Sequence, residues 1–284
     1  MGQRLAAHLA PRLKTHIGLL AIGRHAVKTP QMPKTPKMPN THFICADLDQ
    51  KKSLRRLAAL PSRVIYLAPP PSSGTDDARM QQFLAAAPRT QQCIYVSTTG
   101  VYGAAAGAWV TETTPLSATE PRSQRRIAAE KRLKRSAIPH VSILRAPGIY
   151  AKDRLPIARI QAGLPAFDAA DDVPTNHIHA DDLARLCWLA LFQGRNRRAY
   201  NAADGQPMLH ADYLNAVAQH FGLNAPPRLP AAQVKDALSP IAWSMLAGAR
   251  RVSSARLFRE WGVQLKYPSV NAFLAQRKDK GMMA

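Results

Sequence analysis

The sequence predicts an α/β protein in which helices cover both faces of a parallel β-sheet. Apolar runs typical of buried strands alternate with helical segments up to about residue 200. The run at residues 93–96 leads directly into three hydroxyl residues, Ser97, Thr98 and Thr99. Open parallel sheets bind ligands beyond the carboxyl ends of their strands, so these hydroxyls mark the predicted site. Taken alone, the same residues also fit an ordinary strand-to-loop turn.

The individual elements follow from apolar periodicity and from the positions of proline and glycine. Strands are predicted at residues 17–22, 42–46, 63–68, 93–96 and 140–144. Helices are predicted at residues 2–14, 50–60, 76–87, 123–136, 155–162 and 180–192. Proline at every third position predicts an exposed loop at 28–40. From residue 212 the pattern is mostly helical, so we predict a domain at 1–205 and a small α-rich lobe at 206–284.

The composition is strongly basic, with 39 Lys and Arg against 18 Asp and Glu and a formal net charge of +21. A positive charge of this size attracts polyanions without specificity. No helix-turn-helix, zinc-finger or RNA-binding motif accompanies the charge, so we predict no specific nucleic-acid partner. We interpret the charge as a solvated surface, with anionic substrates or incidental nucleic-acid affinity as alternatives. The densest basic cluster comprises Arg122, Arg125, Arg126, Lys131, Arg132, Lys134 and Arg135.

Nothing in the sequence predicts export or membrane insertion. No apolar run reaches the roughly 18 residues that a membrane-spanning helix needs. Residues 1–10 lack the apolar core of a signal peptide. The three cysteines, Cys45, Cys93 and Cys187, are far apart and lie in apolar runs. This arrangement predicts reduced, buried thiols in a cytoplasmic protein.

Five segments follow one another along the chain: VSTTGVYG at 96–103, the helix end at 129–131, ILRAPGIYA at 143–151, HIHADDLA at 177–184 and Tyr200-Asn201. Together they cover most of residues 2–205. In this order they resemble motifs of the extended short-chain dehydrogenase/reductase superfamily, the NAD(P)-dependent epimerase/dehydratase group, and more narrowly its atypical members. The resemblance implies a Rossmann-type, doubly wound parallel sheet, with an NAD(P)-binding domain at 1–205 and a substrate lobe at 206–284.

The resemblance is incomplete at the N-terminus. In the family, a central first strand leads into a glycine-rich turn and a helix, which together cradle the pyrophosphate. Here Gly2 resembles the last glycine of that turn, and the helix follows directly. The first strand and the earlier glycines are missing, so we expect an N-terminally incomplete domain that binds its cofactor poorly. Either the natural start lies upstream of Met1, or the chain is a damaged relative.

The resemblance implies NADP, or else NAD, as the cofactor. Arg24 lies where the family meets the adenosine ribose, and an arginine there pairs with a 2′-phosphate, although Arg24 also fits a surface arginine. Asp47 and Leu48 resemble the pair that contacts adenine, and Asp47 also fits a turn. Ala68 and Pro69 occupy the loop under the pyrophosphate, where proline removes backbone donors. The remaining expected cofactor contacts are Ser97, Arg126 and Pro147.

The family pairs a Ser or Thr with a Tyr-x-x-x-Lys helix, in which tyrosine is the acid and base and lysine lowers its pKa. Thr98 matches the Ser/Thr position. Arg122 and Arg126 stand at the tyrosine and lysine positions. Arginine stays protonated at neutral pH, so neither residue can shuttle a proton, although Arg126 could hold a phosphate or carboxylate. The side chains that could supply the proton instead are Tyr102, Tyr150 and His177.

His177 and His179 lie on the same side of an extended segment, and Asp181 and Asp182 follow. A metal site is conceivable from this pattern, but we predict none. The resemblance implies that His179 and Asp182 fix a loop, whereas His177 faces the substrate.

We therefore predict an oxidoreductase that moves a hydride between NAD(P) and a small polar substrate, with Thr98 polarising the substrate oxygen. The alternative is a non-catalytic NADP(H)-binding or redox-sensing protein that has lost the Tyr-x-x-x-Lys pair. A weaker alternative is a basic nucleic-acid adaptor. No membrane partner is expected, and the resemblance allows a homodimer formed through two sheet-flanking helices.

Overall fold

The computed structural model of the chain describes residues 2–9, 19–23, 41–59 and 62–281. Arg24 and the loop predicted at 28–40 lie outside these residues. The chain divides into two compact units, and the predicted boundary at residue 205 stays a prediction. Unit 1 comprises Met1–Ser97, Gln124–Leu144 and Ala184–Ala199, and unit 2 comprises Thr98–Ser123, Arg145–Leu183 and Tyr200–Ala284.

Helices and strands alternate along the first half of the chain, as predicted. The first elements are α1 (Gly2–Leu9), β1 (Leu19–Gly23), β2 (Thr41–Cys45), α2 (Lys51–Leu54), β3 (Arg63–Tyr66), α3 (Ala78–Ala86) and β4 (Gln92–Thr98). They are followed by β5 (Trp109–Val110), α4 (Pro121–Lys134), β6 (His140–Ala146), β7 (Gly148–Tyr150) and α5 (Ile157–Gln161). Helix α3 begins after Asp77, whose carboxylate accepts the Met80 amide hydrogen at 3.0 Å and caps the helix.

The second half has short strands between helices. Its elements are β8 (Ala166–Phe167), β9 (Pro174–Thr175), β10 (His177–His179), α6 (Ala180–Gln193), β11 (Arg198–Asn201), β12 (Met208–Leu209) and α7 (His210–His220). The last ones are β13 (Arg228–Leu229), α8 (Ala231–Ala237), α9 (Pro240–Leu246), β14 (Arg251–Val252), α10 (Ala255–Trp261) and α11 (Val270–Gly281). Asp181 and Asp182 lie in the first turn of α6, where negative charge favours the helix N-terminus.

The parallel central sheet has four strands in the order β11-β6-β4-β3. Strands β1 and β2 form a separate parallel pair, with Leu19 opposite Thr41 and Gly23 opposite Cys45. Within the described residues, β1 and β3 each have a strand partner on one edge only. The sheet is therefore divided at the position where the family resemblance expects a central strand.

The core of unit 1 holds both parts of the sheet. Tyr66, Phe83 and Tyr95 pack ring against ring, with centroid distances of 5.0 and 5.8 Å from Tyr66. Leu20 of β1 and Val64 of β3 are partly buried against the same cluster. The apolar side chains of these strands are buried because helices cover the sheet, which explains the nearly continuous apolar runs in the sequence.

Unit 2 has its own apolar core, built mainly on α7 and α11. The aromatic side chain at its centre is Tyr150, which packs edge-on against Phe273 at 5.6 Å between ring centroids. The other fully or nearly buried members of this cluster include Ile160, Leu214, Val217 and Leu274. None of the helices that the structure describes combines the length and the apolar character that crossing a bilayer requires.

Three local predictions need correction. The predicted helix at 50–60 is α-helical only over α2, and Arg55–Ala59 form a 3₁₀ helix instead. The predicted turn after the hydroxyls is a 3₁₀ helix over Thr99–Tyr102. Cys93 and Cys187 are buried free thiols, as predicted, but Cys45 is exposed because it ends β2.

Candidate functional site

The hydroxyl of Thr98 lies at the carboxyl end of the central strand β4. Thr98 is half-buried and caps the following 3₁₀ helix, and its Oγ1 accepts the Gly100 amide hydrogen at 3.2 Å. A Cβ atom on Gly100 would lie 2.9 Å from the Ser123 Oγ, so any larger residue there would have to displace that hydroxyl. No described residue accepts the Thr98 hydroxyl hydrogen, which leaves Thr98 able to donate a hydrogen bond to a ligand.

Tyr102 is held in a buried polar network. Its hydroxyl donates to Asn201 Oδ1 at 2.7 Å and accepts from Arg145 Nη1 at 2.9 Å. The Arg145 guanidinium also lies 5.0 Å from the centre of the Tyr102 ring. Burial raises the pKa of Tyr102, and the nearby Arg145 charge opposes that rise. Because Tyr102 is 1% exposed and bonded on both sides, its geometry favours a positioning role over proton donation.

We predict that Tyr102→Phe lowers the free energy of unfolding by about 1–3 kcal/mol, since it removes the hydrogen bonds that the Tyr102 hydroxyl makes to the buried Asn201 and Arg145 side chains. Urea unfolding measures this change. Tyr213→Phe is the matched control, because the Tyr213 hydroxyl makes no hydrogen bond to a described residue, and it should leave the free energy nearly unchanged. Equal effects of the two substitutions would contradict the network.

Arg250 brings positive charge to the same turn. Its Nη1 donates to the Thr99 carbonyl oxygen at 2.8 Å, and its Nε donates to the Gly248 carbonyl oxygen at 2.8 Å. Burial lowers the pKa of Arg250, and the positive charge of Arg122 lowers it further. The two guanidinium groups lie close to each other, and Arg250 contacts Thr99, the residue after Thr98, so an anionic group would stabilise this environment.

A second buried polar group surrounds His177. Burial lowers the pKa of His177 to about 4, so the imidazole is neutral at pH 7, and its Nδ1 has no hydrogen-bond partner among the described residues. The Tyr213 ring lies 4.4 Å from the His177 ring. Asp204 donates its amide hydrogen to the His177 carbonyl oxygen at 2.8 Å. Burial raises the pKa of the Asp204 carboxyl to about 7, and its Oδ2 is also without a partner.

His179 and Asp182 have structural contacts. Asp182 accepts the backbone amide hydrogens of Lys266 and Tyr267 at 2.8 Å each, so it fixes that loop. The His179 ring lies 4.0 Å from the Tyr267 ring, and its Nδ1 accepts the Asp181 amide hydrogen at 3.2 Å. Among the described residues, no three His, Cys, Asp or Glu side chains are grouped as metal ligands.

The cofactor positions in unit 1 lie mostly in turns after strands. Asp47 follows β2, and its carboxylate accepts the Asp49 amide hydrogen at 3.0 Å. Leu48 and Ala68 are partly buried against the core. Arg79 donates to the Pro69 carbonyl oxygen at 3.0 Å. Arg24 lies outside the described residues, and Gly2 is exposed at the start of α1 with nothing within 4 Å of an added Cβ.

Arg126 is bonded to the sheet. It donates to the Val96 carbonyl oxygen at 2.9 Å and to the Tyr95 hydroxyl at 3.1 Å. Ser97 lies next to this pair in sequence and is buried, with no hydrogen-bond partner for its Oγ in the described structure. Pro147 is half-buried between β6 and β7. Part of the hydrogen-bonding capacity of Arg126 is therefore taken up by contacts within the protein.

The described residues fit a bound dinucleotide, although incompletely. The open N-terminus of α1 suits a phosphate, and the unpartnered Ser97 hydroxyl and the half-buried Thr98 lie at the end of a parallel strand, where dinucleotides bind. Pro69, in the loop that the resemblance places under the pyrophosphate, has no amide hydrogen to donate to it.

Three contributors were not predicted from the sequence. Arg250 reaches Thr99 from 151 residues away, so no local pattern connects them. The position of Asp204 beside His177 and the pairing of Arg145 with Tyr102 both depend on buried tertiary contacts. The sequence signal for them was indirect, since Arg145 is the last residue but one of β6 and Asn201 is the last residue of β11.

No protein-family model and no curated protein matches the chain. Solved structures do match. A conserved protein of unknown function from Silicibacter pomeroyi is 26% identical, with a TM-score of 0.76 over 99% of this chain and 95% of that one. A Methylobacillus flagellatus protein, provisionally assigned as an NAD-dependent epimerase/dehydratase, is also 26% identical, with a TM-score of 0.71 over 98% and 94% of the two chains.

A third match is a dTDP-glucose 4,6-dehydratase from Streptomyces venezuelae, solved as a double mutant with NAD bound. It is 16% identical, with a TM-score of 0.73 over 99% of this chain and 94% of that one. The predicted resemblance is confirmed: the chain has the fold of the extended short-chain dehydrogenase/reductase superfamily, the group of NAD-dependent epimerases and dehydratases.

Proposed function

We propose that the protein is an NAD(P)-dependent oxidoreductase of the epimerase/dehydratase type that acts on a small polar substrate carrying an anionic group. The observation that carries the proposal is the Thr98 hydroxyl, which lies half-buried at the end of β4 with its hydrogen available. The fold, shared with NAD-dependent epimerases and dehydratases, supports the cofactor. We propose NADP as the cofactor in preference to NAD, because an arginine at the position of Arg24 pairs with the 2′-phosphate of NADP.

When bound, the nicotinamide supplies or accepts the hydride. The protein's part is to hold and polarise the substrate oxygen. Thr98 donates a hydrogen bond to that oxygen, and the Gly100 amide hydrogen on Thr98 Oγ1 makes the hydroxyl a stronger donor. Arg250 and Arg122 hold the anionic group of the substrate. The residues that would hold the dinucleotide are Gly2, Asp47, Leu48, Ala68, Pro69, Ser97, Arg126 and Pro147.

Thr98→Val is predicted to lower substrate-dependent NADPH oxidation about a hundredfold, because valine has the same shape but no hydroxyl. The assay follows NADPH absorbance with a panel of oxo acids and nucleotide-linked keto sugars. NADPH affinity, measured by fluorescence, should stay unchanged. Thr113→Val makes the same replacement at an exposed loop position and should leave the rate unaltered. A variant with full activity would rule out the role of Thr98.

The second candidate function is NADP(H) binding without catalysis, as in a redox sensor. It is favoured by Arg122 and Arg126, which replace the proton-transferring pair, and by the bonds of Arg126 to the strand β4. This candidate predicts NADPH binding without turnover across the whole panel. It also predicts that Thr98→Val affects no measurable property other than NADPH binding.

A further inference from the structure

A cavity of about 680 Å³ lies in unit 1, and none of its lining residues has a role in the proposed reaction. Its walls come from α3, from the segment between α3 and β4, and from the C-terminal half of α4 with the residues that follow. Its volume lies within the range of small-molecule sites, roughly 300–1,000 Å³. We call it the α3–α4 groove.

The floor of the α3–α4 groove is apolar. Leu84, Ala87, Ala128 and Ile138 line it, and Ala87 and Ile138 belong to the buried core of unit 1. An apolar floor of this kind favours a ligand that carries a hydrocarbon or aromatic body. The Thr90 hydroxyl also lines the groove and has no hydrogen-bond partner among the described residues.

The rim of the groove is positively charged. Lys131, Arg132 and Arg135 line it from α4 and its C-terminal end, and Asp76 is the single acidic residue on the wall. Arg132 pairs with Asp76 at 2.5 Å between Nη2 and Oδ2, which holds the pKa of Asp76 below its usual range. Three positive charges against one negative charge leave a net charge that favours an anion. These residues belong to the densest basic cluster of the sequence.

We propose that the α3–α4 groove binds an amphipathic organic anion, with its apolar body on the Leu84, Ala87, Ala128 and Ile138 floor and its phosphate or carboxylate at Lys131 and Arg135. Charge complementarity supports a small anion over a second copy of this chain. In a symmetric dimer formed through this face, the same basic patch would meet itself, and the like charges would repel.

The test uses isothermal titration of the whole chain with hexyl phosphate, inorganic phosphate and hexanol. We expect one hexyl phosphate site with at least about tenfold higher affinity than for either of the other two compounds, since the groove offers both charge and apolar surface. Lys131→Glu/Arg135→Glu should weaken hexyl phosphate binding at least about tenfold. Ala128→Leu, which fills the floor without changing charge, should weaken it as well.

The matched control is Lys235→Glu/Arg259→Glu, which makes the same change of charge at exposed positions of unit 2 and should leave binding unchanged. Melting curves show whether each variant is folded. The proposal is overturned if hexyl phosphate does not bind, if inorganic phosphate binds as tightly, or if the control weakens binding equally. It is also overturned if sedimentation shows a dimer that Lys131→Glu/Arg135→Glu dissociates and that excludes the probe.

Discussion

An apolar β-strand and a Gly-x-Gly-x-x turn, added ahead of Gly2, are expected to raise the melting temperature and to tighten NADP binding. Strand β1 pairs only with β2, and β3 only with β4, among the described residues. Leu20 and Val64 of these two open edges pack against one core, so an added parallel strand could pair with both. Each added backbone hydrogen bond contributes on the order of 1 kcal/mol net.

The expected rise of the melting temperature is about 5 °C or more, because a gain of about 2 kcal/mol shifts the midpoint of a protein of this size by roughly 4–8 °C. Cofactor affinity should rise at least about tenfold, since the glycine turn and the N-terminus of α1 together supply backbone donors to the pyrophosphate. Differential scanning calorimetry and NADPH fluorescence titration measure the two effects separately.

Two control extensions separate the strand from the turn. An extension with proline at two central strand positions lacks the amide hydrogens for pairing and should raise neither quantity. An extension that keeps the strand but replaces the glycines by valine should raise the melting temperature without tightening NADP binding. If the proline-containing extension stabilises the protein as much as the intended one, β1 and β3 do not form a slot for a strand.

The strands of the sheet are the part of the fold that the sequence predicted most specifically. The apolar runs predicted every strand of the four-stranded sheet except β11, because buried parallel strands are apolar on both faces. Strands β1 and β3, which lie on either side of the position where the family has its first strand, are separated into two sheets. The boundaries of α2 were less predictable, since a 3₁₀ continuation uses the same residue types as an α-helix.

The candidate site was predictable only where it follows the strands. Thr98 could be placed from sequence because the end of a parallel strand is fixed by its apolar run. The surroundings of Tyr102 could not, because its partners Arg145 and Asn201 are 43 and 99 residues away. The sequence left Tyr102 as one of three alternative proton donors, whereas in the structure its hydroxyl is bonded to both Asn201 and Arg145. Local patterns therefore predict where the site is, but not which side chains are free to react.

Asp204→Asn is expected to change the free energy of unfolding more favourably at pH 8 than at pH 5. Burial raises the pKa of the Asp204 carboxyl to about 7, and the negative charge of Asp182 adds to the rise. The nearby titratable groups are Asp182, the neutral His177 ring and the Tyr150 hydroxyl, whose own pKa the Asp204 charge raises. The folded protein therefore binds a proton here that the unfolded chain releases near pH 4.

Stability from this proton is present below pH 4 and is lost as the pH rises through about 7, because ionising Asp204 in its buried site is unfavourable. Asparagine keeps an oxygen for the Gln206 amide hydrogen, which Asp204 Oδ1 accepts at 3.0 Å, and it has no proton to lose. Between pH 5 and pH 8 the variant should gain about 2–4 kcal/mol relative to the parent protein.

Urea unfolding of both proteins at the two pH values measures the difference. Asp236→Asn, at an exposed position on α8, removes a carboxylate without burial and should shift stability equally at both pH values. If Asp204→Asn and the parent protein keep a constant difference from pH 5 to pH 8, the Asp204 carboxyl is ionised throughout. Its unpartnered Oδ2 would then have to be solvated, and the buried polar group around His177 would be open to water and ligands.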